Sequence, residues 1–345
     1  MPIANAFEPA ETGNVEALLA ALKSGAPIET GGDRGDSPLI GAAGRGHLAC
    51  VEVLIAHGAK LDHANDGGAT ALIAAAHRGH AEVVAALASA GANVEHMNDA
   101  GVTALFACLK NPNLEADKSL AVARALLAGK ANPNQSTRSG KLPLGASKTA
   151  AIAELLVDAG AAIDSKDSDG KTALHHAARD GAGEVVVWLL GRGASADVVD
   201  SDGATPLVEG VKGLAFAKAL DAFVALAKAT TLRGSKGYRG QTALSMAAEA
   251  GEAGVVQALL GDGAELEIGD NAGMTPLIWA AYRNHAQVVE LLLRAGAKKN
   301  TQDNDGLTAR GHVEKAIATP PKVSRLRKTP AEPVDRNQVL ALLED

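Results

Sequence analysis

Aromatic side chains are scarce in this chain: Phe, Trp and Tyr together make up 2% of its 345 residues. Hydrophobic residues still reach 47%, so the core must be built from Ala, Leu, Val and Ile. Small side chains spread over many segments suit thin, closely stacked layers better than one large core. Cysteine is equally sparse. Cys50 and Cys108 are the only two, and no CxxC or Cys/His spacing surrounds them, so neither a disulfide framework nor a zinc site is indicated. A basic excess is missing too: the net charge is −7 and the pI is about 5.8. That disfavours a general nucleic-acid binder. No uninterrupted apolar run approaches the ~18–20 residues that span a bilayer. Met1-Pro2-Ile3-Ala4-Asn5 has neither a basic nor an apolar leader region. The expectation is a soluble, cytoplasmic protein in a reducing compartment.

What is present is repetition. The tripeptide Thr-Ala/Pro-Leu opens at Thr70, Thr103, Thr172, Thr205, Thr242 and Thr275. Degenerate copies open at Ser37, Leu142 and Thr308. From Ser37 the spacings are 33, 33, 39, 30, 33, 37, 33 and 33. One period back lies Ala4, where an imperfect first unit begins. A second marker keeps the same phase. Gly-Ala follows 21 residues after most starts, as at Gly58-Ala59, Gly91-Ala92, Gly193-Ala194, Gly263-Ala264 and Gly296-Ala297. Two markers locked to one period define a tandem array.

The unit from Asn271 to Ala297, with Thr275-Pro-Leu and Val288-Val-Glu-Leu-Leu-Leu-Arg-Ala-Gly-Ala297, resembles the ankyrin-repeat consensus almost position for position. The unit from Asp167 to Ala194, with Thr172-Ala-Leu-His175, is equally similar. The resemblance covers roughly residues 4–316. It implies an all-α fold: an ankyrin α-solenoid of helix-turn-helix units joined by β-hairpin fingers. Each marker has a physical reason. Thr172 stands where a helix N-cap is wanted. Pro206 and Pro276 fall in a first turn, where no helical hydrogen bond is lost. Val185, Val186, Leu189 and Leu190 give the second helix an apolar stripe. Gly193 suits a helix end that needs positive φ. Asp-Ser-Asp-Gly forms the turn onward. A lone unit cannot cover its apolar face, so stacking stabilises the array. About ten units, caps included, are expected over residues 1–318. Residues 319–345 read as a Pro/basic linker and a final helix completing the C-terminal cap.

Several units depart from the pattern. The Thr103 unit carries six extra residues around Asn111–Lys118, read as a loop between its helices. The Leu142 unit is three residues short, which predicts a stunted first helix. The Thr205 unit lacks Gly-Ala and ends in a finger, residues 230–240, holding Arg233, Lys236, Tyr238 and Arg239 without an acid.

Catalytic and cofactor signatures are wanting. No GxxxxGK[ST] loop, GxSxG elbow or HExxH helix occurs. Asp167-Ser-Asp169-Gly170 and Asp303-Asn-Asp305-Gly306 resemble half a calcium loop, but His176 or His312 would stand where the loop requires Glu. Arg34-Gly35-Asp36 spells an adhesion tripeptide on a repeat turn. His47, His80 and His285 sit at helix junctions. His175 matches the family's Thr-Pro-Leu-His position, where the imidazole bridges backbone groups. Trp188 and Trp279 fall in the core pattern. No enzyme activity, cofactor or metal is expected.

The family resemblance implies a concave face built from finger tips and the ends of first helices, and a partner protein bound there. Carried over by position, the helix row holds Arg45, His77, Arg78, Lys110, Arg179, Lys212, Tyr282 and Arg283. The tip row includes Asp66, Asp99, Asp169 and Asp202, and the irregular finger adds Arg233, Lys236, Tyr238 and Arg239. The cations either complement helix C-termini or attract an acidic segment of a partner. The function expected is a protein-interaction scaffold. The alternatives are an inhibitor or immunity-type protein that sequesters an enzyme or toxin, and a binder of anionic ligand, nucleic acid or membrane through Arg233–Arg239 and Lys322–Lys328.

Overall fold

A computed structural model of the chain describes residues 5–29, 31–212, 219–318 and 336–344. The chain divides into two compact units, residues 1–169 and 170–345. In the first unit the helices are α1 (Phe7–Thr12), α2 (Val15–Lys23), α3 (Pro38–Arg45), α4 (Leu48–Ala56), α5 (Ala71–Arg78), α6 (Ala81–Ser89), α7 (Ala104–Lys110), α8 (Ala116–Ala128) and α9 (Ala150–Asp158). First helices stack on first helices, α1 on α3, α3 on α5 and α5 on α7. Second helices stack on second helices, from α2 through α4 and α6 to α8 and α9.

The local causes are those the repeat encodes. Ser37, Thr70 and Thr103 accept the N–H groups of Ile40, Ile73 and Phe106 at 3.3–3.4 Å, which satisfies one free donor per helix start. Leu39, Leu72 and Leu105 from the first helices meet Leu54, Leu87 and Leu126 from the second, all with 2% exposure or less. Burying each such side chain contributes about 1.5–3 kcal/mol before the entropy of ordering is subtracted. The turn between helices is sharp. Gly46 has φ +79°, and a Cβ there would lie 2.5 Å from the His80 ring. That ring in turn bonds the Gly44 carbonyl at 3.2 Å. His47 bonds the Glu11 carbonyl in the same way, at 3.0 Å. Each histidine therefore ties a second helix to the end of the first helix of the preceding unit.

The fingers reverse the chain without forming strands; none occurs among the described residues. Asn65 Oδ1 accepts from the N–H groups of Gly67 and Ala69 and closes a turn. Single bonds link successive tips: Asp66 N–H to Arg34 O at 2.9 Å, Asp99 N–H to Gly67 O at 3.1 Å, and Arg138 N–H to Gly101 O at 3.0 Å. With one backbone–backbone bond per tip, no ladder forms.

The extra residues of the Thr103 unit are only partly a loop. α8 runs 13 residues against nine for α4 and α6, because Ala116–Ala128 is rich in strong helix formers. Ser119 anchors its start by donating to the Cys108 carbonyl at 3.0 Å. In the Leu142 unit the first helix shrinks to a 3-10 turn, Leu144–Ala146.

The second unit holds α10 (Ala173–Asp180), α11 (Gly183–Gly191), α12 (Pro206–Lys212), α13 (Leu220–Ala229), α14 (Ala243–Ala250), α15 (Ala253–Gly261), α16 (Pro276–Tyr282), α17 (Ala286–Arg294), α18 (Ala309–Ala318) and α19 (Asn337–Leu342). The pairing rule is the same, first helices α10 to α18 and second helices α11 to α19. His175 serves as both cap and spacer: Nδ1 accepts the Thr172 N–H at 3.1 Å, and Nε2 donates to the Ala204 carbonyl at 3.1 Å. His285 bonds the Glu249 carbonyl at 3.1 Å. Asp197 holds the irregular finger through Thr230 Oγ1, Thr231 N–H and Thr231 Oγ1 at 2.6–2.9 Å. α19 packs on α17 and α18 with Val339 and Leu343 buried. The Lys322–Lys328 stretch lies outside the described residues.

Candidate protein-binding face

One column of the repeat decides where this surface opens. Count from the Ser or Thr that starts each unit and take the fourth residue on. In the first unit this residue is Gly41, Ala74 and Ala107. In the second it is His176, Glu209, Met246, Trp279 and His312. Several of the large side chains in the second unit reach back to the finger base. Trp279 Nε1 donates to Asp270 Oδ2 at 3.0 Å. His312 Nε2 lies 2.6 Å from Asp303 Oδ2. Glu209 is joined to Asp200 by Lys171, whose Nζ stands 2.5 Å from Glu209 and 3.4 Å from Asp200. Burial raises the Glu209 carboxyl, but the hydrogen bonds and charges of Lys171 and Lys212 together outweigh it and hold the group below the ordinary carboxylate range.

Glycine and alanine cannot make such bridges. In the first unit the space stays open as a groove of about 610 Å³ along α1, α3, α5 and α7. Ile40, Ile73 and Phe106 form its apolar floor, each 5–9% exposed. Arg45, His77, Arg78 and Lys110 line one side, Asp36, Asn65 and Asn98 the other. Arg45 is paired with Glu11 at 2.9 Å. Arg78 and Lys110 are exposed and have no ion pair among the described residues. Asn65 donates to Asp36 at 2.7 Å. Asn111 and Pro112, from the extra residues, close one end.

The structure thus gathers four of the expected cation-row residues, Arg45, His77, Arg78 and Lys110, along one groove. Asp66 and Asp99 are exposed on finger tips and do not line it. Asp169 is ion-paired with Lys141 at 2.5 Å. In the second unit Arg179 is paired with Asp180 at 3.0 Å, and Lys212 with Glu209 at 3.2 Å. Asp202 is exposed. Tyr238, 61% exposed, lies under Lys212 and Arg239 at 5.9 and 5.5 Å. Lys236 donates to the Gly269 carbonyl at 2.7 Å, and Arg233 Nε is buried without a hydrogen-bond partner among the described residues. Tyr282, 41% exposed, stacks edge-on with Trp279 and His312, while Arg283 covers both Trp279 and Tyr282 and pairs with Glu249 at 2.6 Å. The two tryptophans differ from the core expectation. Both are half-buried, Trp188 beneath Arg192 and Trp279 in the fourth-residue column.

Among the described residues no group of three His, Cys, Asp or Glu side chains could hold a metal ion, and no helix is long and apolar enough to cross a membrane. Residues 8–98 and 214–303 match the family model of ankyrin repeats in three copies, and residues 156–207 match that of ankyrin repeats in many copies. The chain belongs to the ankyrin-repeat family. No curated protein matches it. Among solved structures it is similar to the ankyrin repeat domain of Bcl-3, described as a unique member of the IkappaB protein family. The identity is 22% and the TM-score 0.52, covering 59% of this chain and 92% of that one. At that identity the likeness speaks for the fold alone. Ankyrin repeats are modules of protein–protein interaction, and the fold is typically a non-enzymatic scaffold.

Proposed function

We propose that this protein is a scaffold that binds another protein through the face formed by its first helices and finger bases. The observation that carries this reading is the open groove of the first unit, with an apolar floor and the cations Arg78 and Lys110 left without ion pairs among the described residues. A buried apolar centre bordered by charge is the usual anatomy of a protein interface. A soluble cytoplasmic setting belongs to the same proposal. Stoichiometric sequestration of an enzyme or toxin is its narrower form. Binding of an anionic ligand has less support, because Lys236 of the basic finger already bonds a carbonyl and Arg239 already stacks on Tyr238.

The test is partner retention from native lysate by the whole chain and by two paired variants. Loss of the partner on Arg78→Ala with Lys110→Ala supports the groove face. Loss on Tyr282→Ala with Arg283→Ala supports the aromatic part of the same helix row. Full retention by both pairs refutes the face and moves the site to the Thr230–Gly240 finger. Binding that falls steeply with salt and is equal for any polyanion would favour the anionic reading.

A further inference from the structure

We infer that the groove of the first unit receives an α-helix of the partner protein, one whose apolar stripe is bordered by Asp and Glu where it passes Arg78 and Lys110. This rests on the scaffold reading above and adds the form and charge of what is bound.

The form follows from the backbone. The groove walls are α3, α5 and α7, whose N–H and C=O groups are engaged along the helices. The finger bases are closed as well: Asn65 N–H bonds Ala69 O and Asn98 N–H bonds Val102 O, each at 3.1 Å, and the tip N–H groups of Asp66 and Asp99 bond the preceding finger. No row of free backbone groups faces the groove. An extended segment laid there would be stripped of water along its own backbone and given nothing in return, which is costly. A helix brings its backbone already satisfied and offers only side chains.

The floor matches that form. Ile40, Ile73 and Phe106 recur once per repeat, and Gly41, Ala74 and Ala107 leave room above them. An apolar stripe at i, i+3/i+4 and i+7 of a helix can follow such a row. Charge sets the direction. Arg45 is neutralised by Glu11, whereas Arg78 and Lys110 have no ion pair among the described residues, and Lys148 stands near Lys110 with Nζ donated to the Asn111 carbonyl. Positive potential is therefore concentrated at the α5–α7 end, and the carboxylates of the bound helix belong there. In the second unit the equivalent column is filled by Glu209, Met246 and Trp279, so the inference concerns the first unit only.

The experiment uses two display libraries of equal length selected on the whole chain: single-helix peptides with one randomised face, and peptides kept extended by interspersed proline. Two variants probe the groove. Ala74→Met fills it, a change this fold accepts because Met246 occupies the same position in another repeat; circular dichroism confirms folding. Arg78→Glu with Lys110→Glu reverses the charge at exposed positions. The inference expects the helical library to yield the binders, with an apolar stripe and an Asp/Glu border. These should lose about tenfold or more in affinity on either variant, and their Lys-bordered counterparts should gain on the charge reversal. Binders drawn mainly from the extended library overturn the helical form. Helical binders bordered by Lys or Arg overturn the charge. Helical binders indifferent to both variants overturn the groove, while native partner retention by the whole chain keeps the scaffold reading standing. If the whole chain retains no protein at all, the scaffold reading falls with it.

Discussion

Replacing Lys171 with Met should destabilise the second unit more than replacing the acid it bonds. The Lys171 side chain is 11% exposed and sits between Glu209, 1% exposed, and Asp200, fully buried. Removing the cation leaves two buried carboxylates facing one another, and breaking a buried pair from one side costs ~3–5 kcal/mol. Lys212, 3.2 Å from Glu209 and 43% exposed, retains part of the pairing, so the low end, about 3 kcal/mol, is expected. Glu209→Gln is milder. Lys171 keeps Asp200, and the amide oxygen still accepts a hydrogen bond, so the cost should be ~1–2 kcal/mol. Combining Lys171→Met with Glu209→Met should recover only part of the loss, because the repulsion between the two carboxylates is removed while buried Asp200 still lacks its cation. The assay is urea unfolding followed by tryptophan fluorescence, because Trp188 and Trp279, the only tryptophans, both lie in the second unit. With m of ~1–3 kcal/mol/M, Lys171→Met should lower the midpoint by roughly 1–3 M. Equal losses for the two single variants, or a larger one for Glu209→Gln, would refute the electrostatic account.

The same assay reads pH. Burial lowers the His175 pKa below its ordinary value, so the unfolded chain takes the proton first as pH falls through about 6.5. Stability of the second unit is then lost downward from that point, and His175→Ile, which copies Ile278 at the same repeat position, should flatten the slope between pH 6.5 and 5. Glu209, held below its ordinary range, adds a further loss only below about pH 4.5, its ordinary value. Gly46→Ala forces a left-handed Ala and a Cβ against the His80 ring. A loss of ~1–3 kcal/mol is expected, partly relieved in the double variant with His80→Ala; strict additivity of the two would count against the clash. Burial pushes the Cys108 thiol up to about 12 and also raises Cys50. Both should resist a thiol reagent until urea unfolds the first unit; rapid labelling of the native chain would contradict this.

Much of the architecture was legible because the repeat writes each cause twice. Thr at each start and Gly-Ala 21 residues later fix both ends of a helix pair, and the stunted helix at Leu144–Ala146 follows from three missing residues. The extra residues after Lys110 misled because Pro112 and two Asn signal a loop, whereas Ala116 onward prefers helix. The cation row was visible as Arg45, Arg78 and Lys110, since a charge at a fixed offset stands out. The groove beside it was not. Its signal is the absence of large side chains at Gly41, Ala74 and Ala107, and an absence is visible only by comparing that column with His176, Met246 and Trp279. Trp279 misled for a related reason: an apolar side chain at helical spacing resembles core unless the acid that holds its indole, nine residues earlier at Asp270, is noticed.

That column has a consequence for how such a chain can change. Ala74 contributes little to the Leu stack that holds the helices together, and the same site accepts Gly, Ala, Met, Trp, His or a bridged Glu within this one sequence. A single codon per repeat can therefore open or close a cleft while the spine is left intact. At Gly41, Ala74 and Ala107, where the column makes no bridge, selection for a new partner and selection for folding act on different residues of the same short helix, so the specificity of the first-unit groove can drift with little loss of stability.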